Sequence, residues 1–345
     1  MIYFQCDYEE GCHPEILKKL QETNMEQTVG YGKDPYCEAA KVKIKEAIGR
    51  ADADIHFLVG GTQTNTTVIA SILKPWQGAL CAKEGHIACH ETGAIESTGH
   101  KVLAMPSNDG KIGAYQIEEE VEAHYNDASH EHIVQPGMVY ISYPTESGTL
   151  YTKKELTDIY NVCRKYQLPL FIDGARLGYG IESPSCDMTL KELASLCDVF
   201  YIGGTKCGAL FGEAVVITNE SLKKDFRYII KQRGGMLAKG RLLGIQFEVL
   251  FTDGLYQKIC KEAVIKAMKI REAFLSKGIQ MYGTSMTNQQ FPILTDKQIE
   301  ALSKDFAFEY WGESENKKSI VRFCTSWATT DEQVEKLVDK IKKDL

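Results

Sequence analysis

Apolar and polar positions along the chain follow two periods. Short apolar runs of strand length alternate with segments whose apolar residues recur every three or four positions, the pattern of buried strands joined by amphipathic helices. Residues 1–13 read as irregular, Pro14 opens a helical stripe in EILKKLQET, and a loop marked by Gly30, Gly32 and Pro35 precedes the helical segment CEAAKVKIKEAIG. DIHFLVGGTQTNTTVIASIL then reads as strand, double-glycine turn and helix. ALCAKEGHIA, KVLAMPS and GMVYISYPTES each read as strand followed by loop, with helices expected at HETGAIESTG and QIEEEVEAHYN. Thr152 with Glu155, and Thr189 with Glu192, have the spacing of capping boxes; the helices they open lead into the apolar strands LPLFID and DVFYIGG. AVVIT at 214–218 adds a strand, and 221–278 reads as helical throughout. Beyond it IQMYGTS, FPILT, FAFEYWG and SIVRFCTSW read as short strands, closed by a helix capped at Thr330 with Val334, Leu337, Val338 and Ile341 as its stripe.

Alternation of this kind predicts an α/β domain with a parallel sheet covered by helices on both faces, followed by a smaller α+β domain. The division expected is an N-terminal segment, 1–13, packing with the small domain, a large domain over 14–245 and a small C-terminal domain over 246–345. A chain of 345 residues is long for a single core, which agrees with two units. Apolar residues at 43% and charged residues at 25% are those of an ordinary soluble protein. A formal net charge of −7 argues against a nucleic-acid partner, which would require clustered excess Lys and Arg. Neither a membrane-spanning run nor a signal-peptide pattern is present, so a cytoplasmic location is the expectation. The 11 cysteines are odd in number and form no CxxC pair, which points to reduced thiols.

Candidate chemistry concentrates at the ends of the expected strands. LPLFID delivers Asp173 and DVFYIGGTK delivers Lys206 to polar, glycine-rich turns, where α/β sheets place their reactive groups. An acid and an amine so placed suit pyridoxal 5'-phosphate: the lysine can condense with the cofactor aldehyde, and the aspartate can pair with the protonated pyridine nitrogen. Taken singly, each is also an ordinary strand-end or turn residue. The turn Gly60-Gly61-Thr62-Gln63-Thr64-Asn65 offers backbone N–H groups and a helix N-terminus to a phosphate, with Thr62 and Asn65 as side-chain donors. It is neither a GxGxxG fingerprint nor a P-loop. His86 would lie above the cofactor ring, where it can stack and transfer protons. His90 follows one helical turn later, but the pair lacks a third ligand, so no metal is expected. Arg176 and Arg322 are candidates to grip a substrate carboxylate, and Arg322, inside the apolar strand SIVRF, requires an anionic partner if buried.

These residues fall within a series of motifs: YGKDP at 31–35, GGTQTN at 60–65, GHIACHETGA at 85–94, DGARLG at 173–178, GGTKCGALFG at 203–212, RGGMLAKGR at 233–241 and VRFCTSW at 321–327. In content and order the series resembles the low-specificity threonine aldolase and β-eliminating lyase group of pyridoxal-phosphate enzymes, of the aspartate-aminotransferase fold type I. The resemblance implies a mostly parallel seven-stranded sheet in the large domain. It implies Lys206 as the cofactor lysine, Asp173 as the pyridinium partner and His86 as the ring-stacking histidine. Gly61, Thr62, Asn65, Arg176 and Thr205 join the cofactor-binding set, and Arg322, Arg176, Cys6 and Tyr31 the substrate side. Tyr31 falls in a loop that the family contributes to a neighbouring subunit, which implies a homodimer or homotetramer. Three positions depart from the pattern: Cys6 stands where a serine usually precedes the aspartate, here Asp7; Leu237 replaces an arginine that holds phosphate across the interface, leaving Lys239, Lys231 or Arg233 to substitute; and Glu146 in YPTES adds a carboxylate.

The expected function is carbon–carbon cleavage of a β-hydroxy-α-amino acid such as L-threonine or L-allo-threonine, giving glycine and an aldehyde, with His86 taking the β-hydroxyl proton. The alternatives are β-elimination or transamination of another amino acid, for which Cys6 and Glu146 are the hints, and a non-catalytic relative, against which the intact Asp173 and Lys206 speak.

Overall fold

The computed structural model describes residues 1–314 and 318–345. A seven-stranded sheet lies at its centre, in the spatial order β2 (Asp54–Leu58), β8 (Glu213–Ile217), β7 (Val199–Gly203), β6 (Leu170–Asp173), β5 (Gln135–Ser142), β3 (Gln77–Ala82) and β4 (Lys101–Met105). Strand β8 runs antiparallel to both of its neighbours, and every other pair is parallel. Its reversal follows from the short loop 204–212, because a parallel return needs a crossover of a dozen or more residues.

Side chains alternate across this sheet. Leu80, Val139, Ile141, Ile172, Phe200 and Val216 enter one apolar layer, and Ala79, Met138, Tyr140, Phe171, Val199 and Tyr201 enter the other. Helices α1 (Pro14–Thr23), α2 (Pro35–Ile48), α5 (Ala114–Asn126), α6 (Lys153–Lys165) and α10 (Arg241–Leu250) cover the first layer; α3 (Gly61–Ile72) and α9 (Phe226–Gln232) cover the second. Each fully buried aliphatic or aromatic side chain in these layers contributes about 1.5–3 kcal/mol. The sheet edges are thereby fixed, and with them the positions of the loops at the strands' carboxyl ends.

A second sheet is built on β13 (Lys318–Cys324), which pairs antiparallel with β9 (Gln289–Gln290), β10 (Ile293–Leu294) and β12 (Glu309–Ser314). Its core joins Leu294, Phe323, Leu337 and Ile341 to Phe4 from the chain's start. Strand β1 (Ile2–Tyr3) lies parallel to β11 (Phe306–Ala307), and the His13 N–H donates to the Gly208 carbonyl at 2.8 Å. Residues 1–13 thus run from the small sheet to the loop that carries Lys206. Helix α11 (Leu255–Ser276) joins the two cores, with Ile259 and Val264 in the large one and Ile270 and Phe274 in the small one.

Three local expectations differ from the structure. HETGAIESTG forms turns and a 3₁₀ segment at Glu96–Thr98, because Thr92 and Gly93 take φ of 53° and 69°. The stretch 221–278 is broken into separate helices, with Gly234 and Gly254 at φ of 72° and 68° at the breaks. IQMYGTS forms no strand and contributes a single bridge from Met281 to Pro292. The capping boxes at Thr152, Thr189 and Thr330 are present. All 11 cysteines are free, and among the described residues no helix is long and apolar enough to cross a membrane.

Candidate active site

Five strands deliver polar residues to one edge of the large sheet. Gly60 and Gly61 follow β2, His86 follows β3, Glu146 follows β5, Asp173 ends β6 and Lys206 follows β7. Glycine lets the two central turns approach each other. A Cβ on Gly174 would sit 1.9 Å from the Tyr201 carbonyl oxygen, and one on Gly203 would sit 2.2 Å from that of Ala175. The glycines of DGAR and GGTK therefore set the separation of Asp173 and Lys206.

Asp173 is 4% exposed and fully hydrogen-bonded. Its Oδ1 accepts from the Tyr201 hydroxyl at 2.5 Å and the Ala175 N–H at 3.0 Å. Oδ2 accepts from the Tyr140 hydroxyl at 2.5 Å and the Asn65 amide at 3.1 Å. Burial pushes this carboxyl up, but the His86 charge and the two tyrosine hydroxyls outweigh it and leave the group below its ordinary value. Asp173 is therefore held ionised in a water-poor site, ready to face a cationic partner.

Asn65 lies one turn into α3, with its amide between two carboxylates: Nδ2 also donates to Glu91 Oε1 at 2.7 Å. That removes it from the anion-binding turn and makes it part of the Asp173 surroundings. Glu91 Oε1 in addition receives His86 Nδ1 at 2.8 Å. For His86, burial disfavours the imidazolium, but the bond to Glu91 and the charge of Asp173 reverse the balance and raise its pKa. Its backbone N–H donates to Glu146 Oε1 at 2.9 Å, and Ser142 Oγ donates to the same oxygen at 2.6 Å. Burial keeps the Glu146 carboxyl above its ordinary value.

Lys206 is held by its backbone, whose carbonyl accepts from the Tyr179 hydroxyl at 2.6 Å. Burial first, and the Arg176 charge second, lower its pKa, and Asp7, Asp173 and Glu213 offset part of this. More of the amine is thereby in the free, nucleophilic form. Thr205 is committed elsewhere: its hydroxyl donates to Glu213 Oε1 at 2.8 Å and accepts from the Gly212 N–H at 3.0 Å. Its side chain thus braces the lysine loop and has no proton left for a phosphate.

Arg176 is likewise engaged. Its Nε and a terminal nitrogen donate to Asp7 at 2.7 and 2.9 Å, and Asn288 adds a bond to Asp7 at 2.8 Å. Arg322 has its required anion in Glu309, directly opposite on β12, with further bonds to Gln289 Oε1 and the Gln5 carbonyl, and it lies 5.0 Å from the Trp311 ring centroid. Cys6 is half-buried next to Asp7, and burial pushes its thiol up. A cavity of about 630 Å³ is lined by His90, Glu146, Tyr282, Trp311 and Arg322's partner Glu309.

Gly60 gives α3 no side-chain cap, so the first-turn N–H groups of Gly61, Thr62 and Gln63 face outward as an anion cradle, and Thr62 is exposed above it. Tyr31 is not among the residues brought together. It sits at φ 61°, exposed, with its carbonyl held by Arg227 at 3.0 Å and Lys231 5.1 Å from its ring centroid. Among the described residues no cluster of three or more His, Cys, Asp or Glu is arranged to hold a metal. Sequence reasoning missed Glu91, Tyr140, Tyr201 and Glu213 as members of the site, and named Asp7 only as the aspartate that follows Cys6; of the four, Glu91 alone carried a signal, five positions after His86.

Comparison with known proteins agrees with this architecture. The family model described as Beta-eliminating lyase matches residues 9–308. The low specificity L-threonine aldolase of Pseudomonas sp. (strain NCIMB 10558) is 28% identical over 343 residues, covering 98% of this chain and 96% of that protein. The structure of Leishmania major threonine aldolase is 44% identical, with a TM-score of 0.96 over 99% of each chain. A tetra mutant of Thermus thermophilus aspartate aminotransferase, at 12% identity, matches with a TM-score of 0.71 over 100% of this chain and 96% of its own, a likeness of fold alone. The large sheet is thus that of fold type I, and the chain belongs to the beta-eliminating lyase family.

Proposed function

We propose that this chain is a pyridoxal 5'-phosphate-dependent lyase that cleaves L-threonine-like and L-allo-threonine-like β-hydroxy-α-amino acids to glycine and an aldehyde. What carries the assignment is the pair Lys206 and Asp173 on adjacent strand ends, beside the uncapped start of α3, in a chain that resembles L-threonine aldolases along nearly its whole length. The residues fit the cofactor: a partly buried amine of lowered pKa, an ionised carboxylate and an anion cradle lie together. Asn65 Oδ1 and Glu91 Oε2 are buried without partners in the same place, as in a site built to meet a polar ligand.

When bound, the cofactor supplies an electron sink for the bond being broken. Lys206 would hold the cofactor through its aldehyde, Asp173 would face the pyridine nitrogen and favour its protonated form, and the Gly61, Thr62 and Gln63 N–H groups would hold the phosphate. Arg322 receives the substrate carboxylate in exchange for Glu309, its partner in the free enzyme. His86, bonded to Glu91 through Nδ1, takes the β-hydroxyl proton at Nε2 and returns one as the product leaves. Burial of Asp173 and its tyrosine partners keeps water from competing for these hydrogen bonds.

Two or four copies of the chain complete the enzyme in this reading, with Tyr31 offered to a neighbouring subunit's site; of Lys239, Lys231 and Arg233 we take Lys231, 5.1 Å from the Tyr31 ring centroid, as the replacement for the arginine that Leu237 displaces. The test is product analysis: protein loaded with the cofactor releases acetaldehyde and glycine in equal amounts from L-threonine or L-allo-threonine, and Lys206→Ala does not. Ammonia and a keto acid as the main products would overturn it.

A further inference from the structure

Among the described residues, the one side chain bonded to His86 through its ring is Glu91, which itself touches neither the proton being moved nor the cofactor lysine. We infer that Glu91 is a positioning residue that fixes His86 as the Nδ1–H tautomer and, through Asn65, ties that imidazole to the orientation of Asp173. Three observations support it. Glu91 is 6% exposed with its carboxylate sealed from solvent, so its bonds do not exchange with water. Its Oε1 lies 2.8 Å from His86 Nδ1 and 2.7 Å from Asn65 Nδ2, and a carboxylate oxygen can only accept from both. The second Asn65 proton goes to Asp173 Oδ2 at 3.1 Å, so the Asn65 amide is oriented by two acceptors at once.

The consequence is chemical. With its proton held at Nδ1, His86 presents Nε2 as the basic nitrogen, on the side away from Glu91. The opposite tautomer would place a proton where one must be accepted. Other groups around the imidazole do not supply this selection: Asp173 and Lys206 act on it by charge, Glu146 engages its backbone N–H, and His90 lies ring to ring at 5.7 Å.

The catalytic consequence rests on the proposed lyase reading; the tautomer does not, and the experiment separates them. Full-length protein labelled with ¹⁵N-histidine is examined by NMR with and without pyridoxal 5'-phosphate, His86→Asn identifying the His86 signals. Wild type shows the Nδ1–H tautomer in the neutral ring. Glu91→Gln retains an acceptor and hence the tautomer, but the ring titrates at lower pH and the acid limb of kcat/KM follows it. Glu91→Ala gives a mixture of tautomers, and kcat falls about 10- to 100-fold, the scale for losing a carboxylate that orients a histidine, with KM little changed. Unaltered His86 titration in Glu91→Gln, or a wild-type ring that is Nε2–H, overturns the assignment even if the alanine variant fails to fold. Absence of aldehyde release by wild type, with the NMR as expected, overturns the lyase reading alone.

Discussion

Asp7 and Arg176 meet fork to fork where no solvent reaches the carboxylate, which is 0% exposed. Two charge-assisted bonds of 2.7 and 2.9 Å join them, and Asn288 adds a third contact to Asp7. Asp7→Asn preserves shape but strands a buried guanidinium; Arg176→Met strands the carboxylate. Breaking a buried pair from one side costs about 3–5 kcal/mol, whereas removing both charges is close to neutral. Unfolding entropy of about 2.1 cal/mol/K per residue gives roughly 0.7 kcal/mol/K for 345 residues, so each single variant should lower Tm by about 4–7 °C. The double variant should recover most of that. Thermal unfolding of all four proteins at one pH measures the cycle, and a coupling below about 1 kcal/mol, the worth of an exposed pair, would refute the reasoning. Burial raises the Asp7 pKa but Arg176 and Lys206 lower it further, so the pair's contribution is present above the unfolded carboxyl's pKa and is lost as pH falls through the lower folded value.

Glu213 titrates in the opposite sense: burial raises it to about 7, with Thr205 and Lys206 opposing. Between the ordinary carboxyl value and pH 7 the native state binds more protons, so stability falls as pH rises, by about 3 kcal/mol in all; Glu213→Gln should flatten that slope, and an unchanged difference between pH 5 and 7 in denaturant titrations would sink the idea. Glu309→Gln frees Arg322 from a partner whose side chain is 46% exposed, which screens the pair to about 1 kcal/mol, so substrate KM should fall about fivefold at constant kcat. A rise in KM would show instead that Glu309 orients Arg322 for substrate. Gly203→Ala drives a methyl into the Ala175 carbonyl, so the variant should lose cofactor retention while remaining folded by circular dichroism; wild-type retention counts against the close approach of the two turns.

Much of the fold was legible because the alternation of apolar runs and capped helices is local, and LPLFID and DVFYIGGTK announce strand ends by their own composition. Strand β8 was legible as a strand but not in direction, since direction depends on how 204–212 returns. Asp173 and Lys206 stood out through flanking glycines whose purpose, the contact between two turns, is visible only in three dimensions. Arg322 could be read as needing an anion because it interrupts SIVRF, yet Glu309 becomes that anion only through cross-strand register. Arg176 looked free to bind a ligand; Asp7, 169 residues away in sequence, takes its fork. Tyr140 and Tyr201 read as strand apolars, and the hydroxyl bonds to Asp173 give them a second purpose that no periodicity reveals.

The central claim is that Lys206 is the residue that holds pyridoxal 5'-phosphate. Protein incubated with the cofactor is reduced with borohydride, digested and mapped by mass spectrometry, which fixes the cofactor to whichever lysine carries it. The phosphopyridoxyl mass should appear on the peptide containing Lys206 and vanish in Lys206→Ala. Labelling confined to another lysine, or none at all under conditions where aldehyde is released, would contradict the account.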